Sequence, residues 1–246
     1  MPLDWTCETI RLSLFSTEAV RLSTDDWKTL TGQDEAEQEQ KGGGRHVFAG
    51  PLLGGQLTLG AVANRCDCIL NPLTKTDELK EDYVPSVGQW PTPFEAFQKI
   101  TEPFLSSVRF PVARMAFAAT LLNPHKTSLD AYKALVTQVK SINRAAEDLH
   151  DLVFRINWPT NTTVDNKLTI NRITTWTVQQ LQLQITLPDG NSPTTFVNDL
   201  SYVLRLELDH NTDQTHTSPF DAGRLVPMYK DLTNLALQNA AEGEVL

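Results

Sequence analysis

Residues 150–178 read HDLVFRINWPTNTTVDNKLTINRITTWTV, and this stretch decides how the rest of the chain is interpreted. Two runs with strand-like composition face each other across a polar, turn-rich connector, which predicts a β-hairpin. Polar groups inside strands are unfavourable unless they are paired or exposed, so the hairpin is expected to do something specific. Each run contributes one Arg, one Asn and one Trp to the predicted site, which comprises Arg155, Asn157, Trp158, Asn171, Arg172 and Trp176.

The composition is that of an ordinary globular protein. The chain has 246 residues, of which 40% are hydrophobic and 21% charged, enough for one large domain or two small ones. The net charge of −9 argues against general binding to nucleic acid or to anionic membranes, since both depend on surplus Lys and Arg. The N-terminus lacks signal-peptide features, and the longest apolar run is far shorter than a membrane span, so we expect a cytoplasmic protein.

Hydrophobic periodicity predicts an α+β fold with antiparallel sheet and helices packed on one face. Glu8–Phe15 and Tyr202–Leu208 alternate apolar and polar residues, as half-buried strands do. The segments after Pro93, Thr127 and Asp221 carry apolar residues at helical spacing. The acidic, Gln-rich stretch 33–45 contains three consecutive glycines and is expected to be a surface loop.

The two halves of the chain share one element order, which is strand, helix, three strands and helix. HVFAG at 46–50 parallels LVFRI at 152–156, and RCDCILN at 65–71 parallels RLELDHN at 205–211. This pattern predicts a pseudo-duplication. We therefore divide the chain into an N-terminal half, 1–107, and a C-terminal half, 108–246, which can still form one continuous domain.

The second half resembles a group of bacterial proteins of about this length that have no assigned function. The resemblance rests on Asn157, Pro159, Asn171, Arg172 and Trp176, together with the run LRLELDHNT at 204–212. It implies a bacterial source but no activity, cofactor or site residue.

The most informative residues of the predicted strands are the arginines. They occur inside the strands, whereas lysines do not. Arg suits sites where a planar donor must bind a carboxylate or phosphate away from bulk water. One hypothesis is that Arg155, Arg172 and Arg205 bind an anionic partner or ligand. The alternative, which we favour, is that these side chains pair with carboxylates on neighbouring strands.

No motif predicts catalysis, a cofactor or a metal. Residues 209–213 begin like a calcium loop, but Gln214 and Phe220 stand where that loop needs Gly and Glu, so a polar loop is favoured. Cys66 and Cys68 lack the spacing of a redox or zinc motif and are expected to pack inside the protein.

The sequence thus favours a non-catalytic interaction or adaptor subunit of a larger cytoplasmic bacterial assembly. Its partners would be other protein subunits, rather than nucleic acid or membrane, and its oligomeric state stays open. One alternative is a small anionic-ligand or nucleotide-binding domain. A second is a metal-dependent hydrolase of unrecognised type that uses Asp209, His210 and Asp213.

Overall fold

The computed structural model describes residues 3–73, 84–181, 184–187, 194–197 and 201–244. Four α-helices occur in these residues: α1 Thr24–Thr31, α2 Thr92–Ser107, α3 Ser128–Gln138 and α4 Ala222–Glu242. The strands in the N-terminal half are β1 Thr6–Ser16, β2 Gln38–Gly42, β3 Arg45–Leu52, β4 Gly55–Val62, β5 Arg65–Pro72 and β6 Gly88–Gln89. Those in the C-terminal half are β7 Val112–His125, β8 Val153–Asn157, β9 Thr160–Asn161, β10 Thr169–Leu181, β11 Gln184–Leu187, β12 Thr194–Val197 and β13 Ser201–Thr212.

Among the described residues, eleven strands form one antiparallel sheet, in the order β2-β3-β4-β5-β1-β7-β13-β10-β8. The short strands β6 and β9 pair with β1 and β10, and β11 and β12 form a separate two-stranded sheet. β1 and β7 lie side by side in the middle, with Leu12 opposite Phe117. The sheet therefore runs without interruption through both halves of the chain, and the predicted α+β fold is confirmed.

The two faces of the sheet differ in chemistry because residues alternate between them along each strand. In β1, Ile10, Leu12 and Leu14 are at most 1% exposed, and they point towards the helices. The intervening Thr9 and Arg11 are partly exposed on the opposite side. We call these two surfaces the helix face and the open face.

Aromatic packing shows how the helices cover the helix face. Phe117 of β7 makes edge-to-face contacts with Phe94 of α2 and with Tyr229 of α4, at ring-centroid distances of 5.7 and 6.2 Å. Trp27 of α1 stacks on Phe48 of β3 at 6.3 Å. α3 contacts β7, β10 and β13, and the carbonyl of its last residue accepts a hydrogen bond from the segment after α4.

Local sequence explains where the helices begin and end. Thr127 caps α3, because its side-chain oxygen accepts from the backbone N–H of Asp130 at 3.1 Å. Gly32 ends α1 in the left-handed conformation, with φ of 75°. α2 contains Pro103 and continues beyond it to Ser107.

The strand orders of the two halves mirror each other about the β1–β7 boundary. The N-terminal half runs β3-β4-β5-β1, and the C-terminal half runs β7-β13-β10-β8. The two sequence parallels noted above fall on strands at equivalent positions in the two halves. The first parallel lies on β3 and β8, and the second lies on β5 and β13. The element order thus supports the pseudo-duplication, which stays a prediction, as does the division at residue 107.

Two segments expected to be loops belong to the sheet. Gln38–Gly42 forms the fully exposed edge strand β2. Its polar composition gave no strand signal, because the strand depends on backbone pairing with β3 and not on side-chain burial. The strand expected to end at Leu208 continues to Thr212. The predicted polar loop at 209–213 is therefore mostly strand.

Candidate binding surface

A chain of side-chain hydrogen bonds crosses four strands on the open face. Asn157 Nδ2 on β8 donates to Asn171 Oδ1 on β10 at 3.0 Å, and Asn171 Nδ2 donates to Asn211 Oδ1 on β13 at 3.3 Å. The same Asn211 oxygen accepts from Arg114 Nη2 on β7 at 3.2 Å. Asn211 Nδ2 donates to Asp209 at 3.1 Å. We call these five residues the amide ladder.

The amide ladder joins the hairpin formed by β8 and β10 to the middle of the sheet. Asn211, at its centre, is only 4% exposed. Without these hydrogen-bond partners, burial of its amide would lower the stability of the folded chain. Asn157, at the outer end, is exposed. The two predicted asparagines are therefore brought together, and they help to hold β8 and β10 in register.

The ladder continues into the N-terminal half through cation–π contacts. The guanidinium of Arg114 lies 4.7 Å from the ring centre of Phe15, and that of Arg65 lies 5.3 Å from the same ring. Such contacts contribute roughly 0.5–1 kcal/mol each at partly exposed sites. A row of polar and aromatic contacts therefore crosses the boundary between the halves.

Strands β5 and β13, which occupy equivalent positions in the two halves, each carry an ion pair between residues two positions apart. On β5, Arg65 Nε lies 2.8 Å from Asp67, and on β13, Arg205 Nε lies 2.9 Å from Glu207. Arg205 also reaches over β7 to Glu8 on β1, with its Nη1 at 2.7 Å from the carboxylate. The carboxylate pairing expected of the strand arginines is therefore present at Arg205.

Arg11 and Arg155, on the open face, have no ion pair or side-chain hydrogen bond with another described residue. Arg11 lies near the middle of the sheet and is half-buried, whereas Arg155 is exposed on β8. Their charges are available to a partner.

A cleft of about 450 Å³ lies on the open face around β1 and β7. Ala118 lines its middle, while Arg11 and Arg205 face Glu207 and Asp209 within the same lining. The charges in this cleft balance, so it does not favour an anion over a cation.

The three arginines proposed to share an anion lie on both sides of the sheet. Arg172 is in register with His210 on the helix face and is 9% exposed, and burial lowers the pKa of its guanidinium. Arg155 and Arg205 lie on the open face. The three side chains therefore do not converge on one ligand.

The two predicted tryptophans differ in environment. Trp176 is completely buried on the helix face, and its ring centre lies 5.9 Å from that of Trp5. Trp158 is half-buried next to Asn157, and its indole N–H donates to no described residue. Trp176 therefore packs the core and offers no surface to a partner, whereas Trp158 lies beside the outer end of the amide ladder.

His210 is completely buried beneath α4. Its Nδ1 lies 3.1 Å from the carbonyl oxygen of Leu232. Burial lowers its pKa to about 4, and the nearby Arg172 adds to this effect. At neutral pH the ring is uncharged and donates from Nδ1. Asp209 precedes it in the strand and points to the open face, so the two do not form an acid–base pair.

The remaining metal and thiol candidates have no unusual chemistry. In the described parts of the chain, no group of three or more His, Cys, Asp and Glu side chains is placed to hold a metal. Cys66 and Cys68 are 1% exposed on the helix face, and burial raises the pKa of both thiols. They fill the core, as expected.

Asn211 and Arg114 were not predicted as central residues of the open face. A signal was present, because the alternation of Arg205, Glu207, Asp209 and Asn211 continues with period two beyond Leu208. Extending the predicted strand by four residues would have placed Asn211 on the same face as Arg205.

The outer edge of β8 completes the candidate surface. β8 ends the sheet and pairs only with β10 among the described strands. Val153, its first residue, is 64% exposed, and Val62 is the other large hydrophobic residue that is exposed in the described chain.

The structure thus defines an α+β protein with one helix-covered and one open sheet face and an accessible edge strand. Comparisons with protein-family models, with curated proteins and with solved structures found no match. None of the described helices is long and apolar enough to cross a membrane.

Proposed function

We propose that this chain is a non-catalytic adaptor subunit that takes up a β-strand of a partner protein at the outer edge of β8. The proposal includes a larger cytoplasmic assembly in a bacterium. It rests on one observation above all, which is that the two edges of the sheet differ in chemistry.

The edge at β2 has the features of a strand protected against pairing. All five of its residues, QEQKG, are exposed, and they include Glu39 and Lys41 but no apolar side chain. Charged side chains on an edge strand discourage the addition of another strand. The edge at β8 reads VFRIN, with three apolar residues in five and no lysine or proline.

The side chains of β8 indicate what a partner strand would carry. Phe154 and Ile156 are half-buried on the helix face, and a partner's apolar side chains would extend this surface. Arg155 is exposed on the open face without an ion pair to a described residue. A carboxylate on the partner strand would satisfy it, so the expected partner alternates apolar and acidic residues.

A second copy of this chain is a poorer occupant of the same edge. Arg155 is the middle residue of β8, so a symmetric antiparallel pair in which the two β8 strands overlap fully would place the two arginines opposite each other. Like charges directly opposite in a sheet are destabilising. Charge therefore favours a different protein over self-association.

The test begins with isolation of the tagged full-length chain from its host and identification of the proteins bound to it. The purified partner is then added to the chain, and hydrogen exchange is measured for the backbone amides of residues 153–157. We expect these amides to be protected in the complex.

Matched variants assign the effect to one edge. Val153→Lys with Arg155→Glu alters β8, and Gln38→Lys with Gln40→Glu introduces the same two residue types at the same spacing on β2. The β8 variant should weaken binding at least about tenfold and the β2 variant less than about twofold. Recovery of the chain alone as a monomer, or equal effects of the two variants, would contradict the proposal.

A further inference from the structure

A second cavity, of about 610 Å³, lies between the segment after β1 and the β2–β3 hairpin. Three exposed cations line it from three parts of the chain: Arg21 before α1, Lys41 on β2 and Arg45 on β3. None of them forms an ion pair with a described residue. His46 lines the same cavity, and its Nε2 lies 2.8 Å from Glu39.

The floor of this cavity is apolar. Val20 and Leu22 are 8% and 7% exposed, and Ala61 is 2% exposed. No carboxylate belongs to the lining. In this respect it differs from the open-face cleft, where two arginines face two carboxylates.

We propose that this cavity binds an organic phosphate, with its phosphate groups on the three cations and an apolar or aromatic moiety on the floor. A volume of this size is typical of small-molecule sites, which commonly combine an apolar lining with a few convergent polar groups. Charge-assisted hydrogen bonds from Arg and Lys are the strongest means by which side chains hold phosphate.

The overall charge of the chain makes this cluster more specific. With a net charge of −9, the protein as a whole repels anions. Attraction of a phosphate ligand must therefore come from a local group of cations. The cavity between the segment after β1 and the β2–β3 hairpin supplies three such cations, and no carboxylate lines it. Such binding should weaken as ionic strength rises, because the cations are exposed to solvent.

The site is independent of the partner-strand proposal. The cavity lies beside β2 and β3, at the opposite end of the sheet from β8. Loss of phosphate binding and loss of partner binding are therefore separable by variants at the two ends.

Isothermal titration of the full-length chain with ADP, pyrophosphate and adenosine tests the proposal. ADP should bind most tightly, pyrophosphate at least about tenfold more weakly, and adenosine more weakly than ADP by at least the same factor. Arg21→Glu and Lys41→Glu should each weaken ADP binding at least about tenfold. Ala19→Trp, which fills the cavity without changing charge, should weaken it as well.

Lys133→Glu is the matched control, because this exposed lysine of α3 makes the same charge change away from the cavity. It should leave ADP affinity within about twofold. Equal losses in Lys133→Glu and Lys41→Glu would overturn the proposal, as would absence of ADP binding at millimolar concentration. Adenosine binding as tightly as ADP would overturn the role of the cations, and pyrophosphate binding as tightly as ADP would overturn that of the floor.

Discussion

Trp5 donates its indole N–H to the carbonyl oxygen of Ala240 at 2.9 Å, joining the residue that precedes β1 to the last turns of α4 across 235 positions of sequence. The bond is buried, and the Trp5 ring also packs on Trp176 at 5.9 Å. The Trp5 side chain therefore links the start of β1 to the end of α4 and to strand β10.

Trp5→Phe should lower the free energy of unfolding by about 2 kcal/mol, because it removes this hydrogen bond and part of the ring contact. Urea denaturation followed by circular dichroism measures the change. Trp158→Phe is the control, since the Trp158 N–H donates to no described residue, and its effect should be smaller. Equal losses in the two variants would show that the bond to Ala240 contributes nothing.

Asn211→Ala should cost about 2 kcal/mol of stability, because it leaves Arg114 and Asn171 without their shared acceptor. Asn157→Ala, at the exposed outer end of the amide ladder, should cost less than about 0.5 kcal/mol. Chemical denaturation of both variants checks the difference. If both substitutions have the same small effect, the ladder does not hold the open face together.

His210 should make stability depend on pH. Its pKa is about 4 in the folded chain and 6.5 as the ordinary value, so the unfolded state binds the proton more readily. The stabilisation is complete above pH 6.5 and is lost as the pH falls towards 4, by about 3 kcal/mol in total. The free energy of unfolding should be measured from pH 8 to pH 4 in the wild type and in His210→Gln. The pH-dependent loss should be smaller in the variant, and parallel curves would refute this assignment.

Gly243→Ala should destabilise the chain by more than about 1 kcal/mol. Gly243 has φ of 77°, and a Cβ there would lie in close contact with the carbonyl oxygen of Gln138. Gly223→Ala is the matched control in the first turn of α4, where a Cβ meets no atom within 4 Å. It should be neutral or stabilising by up to about 1 kcal/mol, since Ala favours the helix. Thermal unfolding of both variants gives the comparison, and destabilisation of equal size would contradict it.

Arg155→Val should promote self-association if β8 is an accessible edge. The substitution removes the like charges that oppose symmetric pairing and leaves an apolar strand, VFVIN. Light scattering coupled to size-exclusion chromatography should show a concentration-dependent increase in mass for this variant. The same substitution combined with Val153→Lys should restore the wild-type profile, because a lysine protects an edge strand. An unchanged profile for Arg155→Val would indicate that the β8 edge is not available.

Much of the local structure was predictable because it depends on neighbours in sequence. The alternation in β1 and the cap at Thr127 are examples, since both depend on residues within a few positions of each other. β2 was missed because its five exposed residues, QEQKG, bury no apolar side chain, and the strand depends on backbone pairing with β3. The end of β13 was missed because Asp209, Asn211 and Asp213 are residues that also favour turns.

The candidate site was only partly predictable for a related reason. The sequence predicted that Arg172 lies in a strand, but it did not predict which face of the sheet the side chain is on. Its neighbours, Asn171 and Ile173, are one polar and one apolar residue on the same face, so they do not indicate which face is buried. Trp176 belonged to the predicted site, and only the tertiary structure showed that it is completely buried against Trp5. Asn157 and Asn171 were recognised, but the residue that links them to the centre, Asn211, lies 40 positions beyond Asn171.

The sequence by itself determined the helices, most of the strands, the alternation of faces in β1 and β13, and the placing of arginines within the sheet. These properties follow from side-chain size and polarity at fixed spacing. Only the tertiary structure decided that Arg114 meets Asn211, 97 positions away, and that Arg205 reaches Glu8, 197 positions away. Such pairs depend on strand order, and strand order is set by the joint burial of all the helix-face residues rather than by any local pattern.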